Sequence, residues 1–337
     1  MRRLALALLL AVLAIESAAA QEHPELSSVR LAVGGRSGLF YLPLTVTERL
    51  GYFKQAGLDV EIADVQAGVR ALQAVVGGSA DVATGTFDHT IQMQAKHQPV
   101  VAVVQFGRVP GLVLGVIAAK ANFYHGPRDL KGKSIGVTAP GSSTHFMAAY
   151  LMVRNGLKPD DASFIGVGVT STAVAAARRG EIDAIVTSDP MASIMESENL
   201  IRVVADTRTA EGARAVYGGP YPAGALYATP AFIEKNPKTM QALVTAFVRG
   251  LAWIEGHSAE DIARLMPEDY ALGNPAIYVR AIAASKPMYS PDGRLSREGA
   301  ETALAVLKTF DPTVKTATID LSKTYTEAFV DKAHAGH

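Results

Sequence analysis

The chain has 337 residues, 32 Lys+Arg against 32 Asp+Glu, 49% hydrophobic residues and no cysteine. This length suits about two domains, and a formal charge of zero argues against nucleic acid or an anionic membrane surface as partner, because both need a cationic face. Without cysteine there is no disulfide framework, Cys-ligated zinc, iron–sulfur cluster or thiol nucleophile, so any chemistry runs on His, carboxylate, hydroxyl and backbone groups.

Arg2 and Arg3, the apolar run Leu4 to Ile15 and Ala18-Ala19-Ala20 occur in the order of a secretory signal, with cleavage expected after Ala20. The run is too short to span a bilayer. With no cysteine for lipid attachment at the cleavage site, the product is expected to be unanchored and free in its compartment.

The next elements alternate. Val29 to Val33 reads as a strand entering the loop Gly34-Gly35-Arg36-Ser37-Gly38, followed by a helix from Pro43 to Leu50 and a strand from Leu58 to Ile62. A helix over Val69 to Val76, a strand over Asp81 to Ala83, a helix over Phe87 to Lys96 and the apolar strand Val100 to Val104 follow. Such alternation predicts a parallel sheet with helices on both faces. Leu112 to Ala118 is a further apolar run.

The same order then restarts: strand Ser134 to Val137, helix Ser143 to Val153, strand Phe164 to Val167, helix Thr172 to Arg179 and strand Asp183 to Thr187. Gly78-Ser79-Ala80-Asp81-Val82 with Thr84 and Thr86 is echoed by Gly180-Glu181-Ile182-Asp183-Ala184 with Thr187 and Ser188, so one lobe is built twice. From Pro230 the pattern turns helical: Ala231 to Lys235, Pro237 to Gly256, Ala259 to Leu265, Pro275 to Ala284, Ser296 to Thr309 and Leu321 to Ala335. This tail is expected to pack on the first lobe. Gly and Pro cluster at Gly107 to Leu112 and Gly218 to Ala225, the expected crossings between lobes.

In open α/β sheets ligands bind outside the carboxyl ends of the strands. Four loops hold that position: Gly34 to Gly38, Ala67-Gly68, Thr84 to His89, and Ala139 to His145. In the last, Gly141 permits a tight turn, and Ser142, Ser143 and Thr144 set hydroxyls beside the unpaired amides of a first helical turn, a cradle for an anionic group that needs no Lys or Arg. Ordinary helix capping explains the same residues about as well. The spacing is not that of a nucleotide-binding phosphate loop, neither serine loop fits G-x-S-x-G, and no H-E-x-x-H occurs. Adjacent Asp88 and His89 diverge by about 100° on a helix and are no relay in themselves. His89 and His145 suit ligand hydrogen bonding or simple capping, and no catalytic residue, metal site or cofactor is expected.

Gly51-Tyr52-Phe53-Lys54-Gln55-Ala56-Gly57-Leu58-Asp59-Val60-Glu61 resembles the early signature of the nitrate/sulfonate/taurine group of periplasmic substrate-binding proteins of ABC importers, which also contains thiamine-pyrimidine proteins. Asp129 to Lys133, Gly141 to His145, Gly180 to Ala184, Ser188-Asp189-Pro190 and Phe232 to Pro237 are similar to its later landmarks, in the same order. The resemblance implies a two-lobed type II periplasmic-binding fold, each lobe a mixed sheet flanked by helices, with lobe 1 from 27–110 and 224–337 and lobe 2 from 111–223. It implies a monomeric periplasmic receptor that closes on a small organic anion and delivers it to a membrane permease and its ATPase. Ser142, Ser143 and Thr144 carry over as the anion loop. Ser188 departs from the aromatic residue many relatives have before Asp-Pro, implying a roomier or more polar wall. A synthase branch and porphobilinogen deaminase both depend on cysteine, which this chain lacks.

The expected site comprises Arg36, Ser37, Gly38, Phe40, Gly68, Thr84, Thr86, Phe87, Asp88 and His89 from lobe 1, with Ser142, Ser143, Thr144, His145, Ser188 and Asp189 from lobe 2. Arg36 is its one cationic contact, and Phe40 and Phe87 its apolar walls. The alternatives are a receptor for an aromatic or thiamine-pyrimidine-type solute, a secreted enzyme using Asp88 and His89, and a sensory protein presenting ligand to a membrane kinase.

Overall fold

The computed structural model describes residues 23–335, so the expected signal segment lies outside the described residues. The first half of the chain contains β1 (Ser28–Val33), α1 (Leu42–Arg49), α2 (Tyr52–Gln55), β2 (Asp59–Asp64), α3 (Gly68–Val76), β3 (Val82–Thr86), α4 (Asp88–Ala95) and β4 (Val101–Gln105). The second runs β5 (Leu112–Ile117), β6 (Ser134–Val137), α5 (Ser143–Arg154), β7 (Ser163–Gly166), α6 (Ser171–Arg178), β8 (Ala184–Ser188), α7 (Met191–Ser197), β9 (Ile201–Asp206) and α8 (Ala210–Tyr217). Then come β10 (Gly224–Ala228), α9 (Pro230–Lys235), α10 (Pro237–Gly256), α11 (Ala259–Leu265), α12 (Pro275–Ser285), α13 (Arg297–Phe310), α14 (Pro312–Thr316) and α15 (Ala328–Ala335).

Two five-stranded sheets form, ordered β2-β1-β3-β10-β4 and β7-β6-β8-β5-β9. The sheets are mixed rather than parallel, because β10 in the first and β5 in the second run antiparallel to both neighbours. The cause is where the chain crosses. It leaves β4 at that strand's carboxyl end and enters the second sheet with Leu112 opposite Ser188, the last residue of β8. It returns with Gly224 opposite Thr86, the last residue of β3. Each crossing strand therefore starts at the carboxyl edge and must run backwards. Both crossings lie at the edge where the loops after β1, β3, β6 and β8 also emerge.

Close approach fixes one of those loops. A Cβ on Gly34 would stand 2.4 Å from the backbone nitrogen of Gly68, so β1 and the start of α3 touch through backbone alone. In the first lobe, Phe247 of α10 meets Phe53 and Phe106 with ring centroids 5.2 and 4.7 Å away. Among the described residues no helix is long and apolar enough to cross a membrane.

The tail does not confine itself to the first lobe. α10 packs on α1, α2 and β4, but α13 lies against α5 and α12 against α7. Phe310 at the end of α13 meets Phe146 of α5 with ring centroids 5.5 Å apart, and Leu272 joins the apolar cluster of Ala173, Met191 and Met195 in the second lobe. The helix expected over Leu321 to Ala335 is also interrupted. Thr324 accepts from the Ala102 amide and the Thr326 amide donates to Ala102 at 3.0 and 2.9 Å, so this segment pairs with the β4 edge before α15 begins.

Candidate functional site

Asp88, the first residue of α4, is 1% exposed and follows the carboxyl end of β3. Its Oδ1 accepts from Thr86 Oγ1 at 2.7 Å and from Ser143 Oγ at 2.8 Å, and its Oδ2 accepts from the Tyr221 hydroxyl at 3.1 Å. The Thr86 and Ser143 hydroxyls also touch each other. A carboxylate from one lobe, a helix start from the other and a tyrosine on the second crossing thus meet at one point.

Beside it, the N-termini of α3 and α5 confront each other. Ser142 occupies the N-cap position of α5 but makes no cap to its own helix; its Oγ accepts the Val69 amide of α3 at 3.3 Å. The N-cap residue of α3, Ala67, offers no side-chain cap either. Gly141, at φ 89°, adopts the left-handed turn that glycine favours, and a Cβ there would lie 3.3 Å from Val69. Two helix dipoles from opposite lobes therefore converge with first-turn amides that no side chain of their own helix caps, an arrangement that favours negative charge.

His89 is fully buried over Gly68, where an added Cβ would come within 3.3 Å of its Cε1, and its ring meets Phe146 edge-on at 5.7 Å. Neither ring nitrogen completes a hydrogen bond among the described residues, so Asp88 and His89 form no relay. Burial lowers the His89 pKa, opposed in part by the Asp88 charge.

The remaining expected residues divide by role. Thr144 accepts from the Thr138 amide at 3.0 Å, and His145 Nδ1 accepts from the Gly141 amide at 3.0 Å while its ring packs on Phe164; both hold the loop in shape. Burial lowers the His145 pKa as well. Ser188 is paired into β8, and Asp189 caps α7 by accepting from Ser193 N and Oγ at 2.9 and 2.7 Å. The Asp189 carbonyl accepts the Leu39 amide at 2.9 Å, a further bond between lobes. Thr84 is fully buried with its hydroxyl unpaired among the described residues.

Five expected residues are not brought to Asp88. Arg36 pairs with Glu48 on α1, and its amide is held by Asp64 at 3.0 Å. With Ser37 it lines a separate polar hollow of about 540 Å³ that also includes Thr170 and Tyr270. Phe87 turns into the first lobe, edge-on to Tyr325 at 6.0 Å. Gly38 and Phe40 stay in the loop after β1, where Phe40 packs against Tyr41 at 4.2 Å.

Sequence reasoning missed the tyrosines. Tyr217 stacks on Tyr221 at 4.2 Å and on Tyr150 at 5.6 Å, forming an aromatic wall next to Asp88. Burial, reinforced by the Asp88 charge, holds the Tyr217 and Tyr221 phenols well above their usual pKa, so they stay protonated and able to donate. The available signal was Tyr217 and Tyr221 bracketing the Gly-Gly-Pro of the second crossing. Among the described residues no group of three or more His, Asp or Glu side chains could hold a metal ion.

The family model described as NMT1/THI5 like matches residues 41–260. A solved structure from Bordetella bronchiseptica RB50 is 47% identical, with a TM-score of 0.91 over 93% of this chain and 98% of that one. The alkanesulfonate-binding protein SsuA from Xanthomonas axonopodis pv. citri, solved bound to MOPS, superposes with a TM-score of 0.70 at 18% identity, over 90% of this chain and 99% of that one. The Bacillus subtilis protein YtlA is 24% identical over 287 residues, 83% of each chain. A 4-amino-5-hydroxymethyl-2-methylpyrimidine phosphate synthase of Aspergillus parasiticus is 24% identical over 247 residues, 70% of this chain and 69% of that protein.

Proposed function

Because the chain belongs to the NMT1/THI5-like family and has the fold of periplasmic solute-binding proteins of ABC importers, we propose that it is an exported receptor, cleaved after Ala20, that hands a small organic anion of sulfonate or carboxylate type to a permease and its ATPase. The observation that carries this reading is the pair of helix N-termini facing each other across the lobes at Val69 and Ser142. The acidic end of the solute sits there. Asp88, 2.8 Å from Ser143, adds a second demand: the solute also offers an N–H or O–H to the carboxylate. Binding draws the lobes together because only the closed arrangement presents both halves of the site.

A second reading, an aromatic or pyrimidine-type solute, is favoured by the Tyr150–Tyr217–Tyr221 wall beside Asp88. One titration series separates the two. Aminosulfonates, amino- and hydroxycarboxylates, simple sulfonates, nitrate and aminopyrimidines are each added to the purified chain, and heat and unfolding temperature are followed. The anion reading expects saturable binding of the donor-bearing acids, abolished by Ser142→Ala with Ser143→Ala. Binding confined to aminopyrimidines overturns it in favour of the second reading. Conversion of any bound solute to product overturns the receptor role.

A further inference from the structure

Behind the crossings lies a hollow of about 390 Å³ whose charge the solute site leaves unexplained. Arg108 enters it from the first crossing, Pro220 from the second, Arg208, Thr209 and Arg214 from the end of β9 and α8, and Pro287 from the segment after α12. Its volume falls in the roughly 300–1,000 Å³ range of small-molecule sites. Among the described residues no Asp or Glu lines it.

The three arginines differ in how their charge is met. Arg208 is neutralised from outside the hollow by Asp206 at 2.6 Å, Glu196 at 2.8 Å and Asp189 at 3.6 Å. The Arg108 and Arg214 guanidiniums make no ion pair or hydrogen bond among the described residues. The Arg108 main chain is held at the crossing, since its amide donates to Met288 O at 2.7 Å. The hollow adjoining it, lined by Arg108 and Pro287, adds Lys286, whose ammonium is tied to the His257 and Glu255 carbonyls at 2.5 and 3.2 Å, and also the Glu255 side chain. Among the described residues, the unpaired charge lining the 390 Å³ hollow itself is therefore positive, and two forks on different parts of the chain border it.

We infer that this hollow is a second binding site, for a small dianion of phosphate, sulfate or short dicarboxylate type, gripped by Arg108 on the crossing and Arg214 on the second lobe. Such an ion converts the repulsion of two guanidiniums into two charge-assisted fork contacts, the geometry arginine offers to tetrahedral oxyanions and carboxylates. The site is separate from the solute cleft, and it links the crossing, α8 and the segment after α12 through one ion.

The test uses the purified mature chain without solute. Inorganic phosphate and succinate are titrated against sodium chloride at matched ionic strength, with unfolding temperature and calorimetric heat as readouts. The expected result is a saturable rise in unfolding temperature beyond the chloride control, weakened about tenfold or more by Arg108→Gln with Arg214→Gln, and retained by Ser142→Ala with Ser143→Ala. Both arginines are exposed, so the paired variant keeps the fold. No saturable effect beyond chloride, or an unchanged affinity in the arginine pair, overturns the site. Loss in the serine pair alone places the anion in the cleft and also overturns it.

Discussion

Replacing Asp88 with alanine or with asparagine separates its structural from its recognition role. Alanine removes the acceptor of Thr86, Ser143 and Tyr221 together. Thr86 and Ser143 still bond to each other, so the main loss falls on the Tyr221 hydroxyl, on a residue 4% exposed. An unmet buried donor costs about 1–3 kcal/mol, and removing a buried carboxylate returns part of that as relieved desolvation. The expected destabilisation is about 1–2 kcal/mol. Asparagine keeps a carbonyl oxygen toward Thr86 and Ser143 and turns its amide to Tyr221, whose hydroxyl rotates to accept, so stability falls by less than about 0.5 kcal/mol. Its effect is on the solute: exchanging a charged for a neutral acceptor costs about 1.4 kcal/mol, a tenfold weaker affinity for a donor-bearing acid. Urea unfolding and calorimetric titration of both variants measure the two effects. Asparagine as damaging to the fold as alanine, or with unchanged solute affinity, refutes the reasoning.

Burial holds the His89 and His145 rings below their usual pKa, whereas in the unfolded chain each takes a proton below about pH 6.5. Their contribution to stability is thus complete above that pH and is lost as pH falls towards the folded values; the unfolding temperature should drop between pH 7.5 and 5, less steeply in His89→Phe, and an unchanged slope counts against the assignment. Gly34→Ala drives a Cβ into the Gly68 backbone and should destabilise by about 1–3 kcal/mol or more, whereas Gly256→Ala, at the end of α10 with open space around it, should stabilise by up to about 1 kcal/mol in the same denaturation assay. A double-mutant cycle of Phe146→Leu and Phe310→Leu should return a coupling of about 0.5–1.5 kcal/mol; a coupling of zero would mean the tail does not pack on the second lobe.

How much of this was legible in the sequence depended on whether position along the chain or direction in space was being asked. The loops at Thr84 to His89 and Gly141 to His145 were legible because a buried strand ending in Gly and hydroxyl residues before a helix fixes where the loop emerges. Arg36 was placed in a correct loop, but spacing carries no information about a long side chain's direction, and Glu48 on α1 claimed it. Tyr221 was hidden because it stands in a Gly- and Pro-rich stretch that reads only as a connection, and its stack draws on α5, α8 and the second crossing. Leu112 to Ala118 stood out as apolar, yet nothing local says that it joins the second sheet backwards.

The position of Asp88 bears on which anions the cleft would accept. Ser143, which donates to its carboxylate, is the first residue of α5, so in the closed arrangement the protein's own negative charge already lies at a helix end that would attract a ligand's. A simple anion entering beside it gains the two dipoles but meets a like charge in a partly desolvated space. A solute carrying a donor on the same molecule turns that repulsion into a charge-assisted bond. Parting the lobes to admit it breaks the Leu39–Asp189, Val69–Ser142 and Ser143–Asp88 contacts, polar bonds worth about 0.5–1.5 kcal/mol each net of those that water supplies instead, and up to about 3 kcal/mol where the Asp88 charge takes part. The Phe146–Phe310 contact has no such replacement. On the proposed function, the cleft therefore opens on its polar side while the tail's apolar contacts with the second lobe remain as the pivot, and Phe310→Ala should alter the opening without touching a single group that meets the solute.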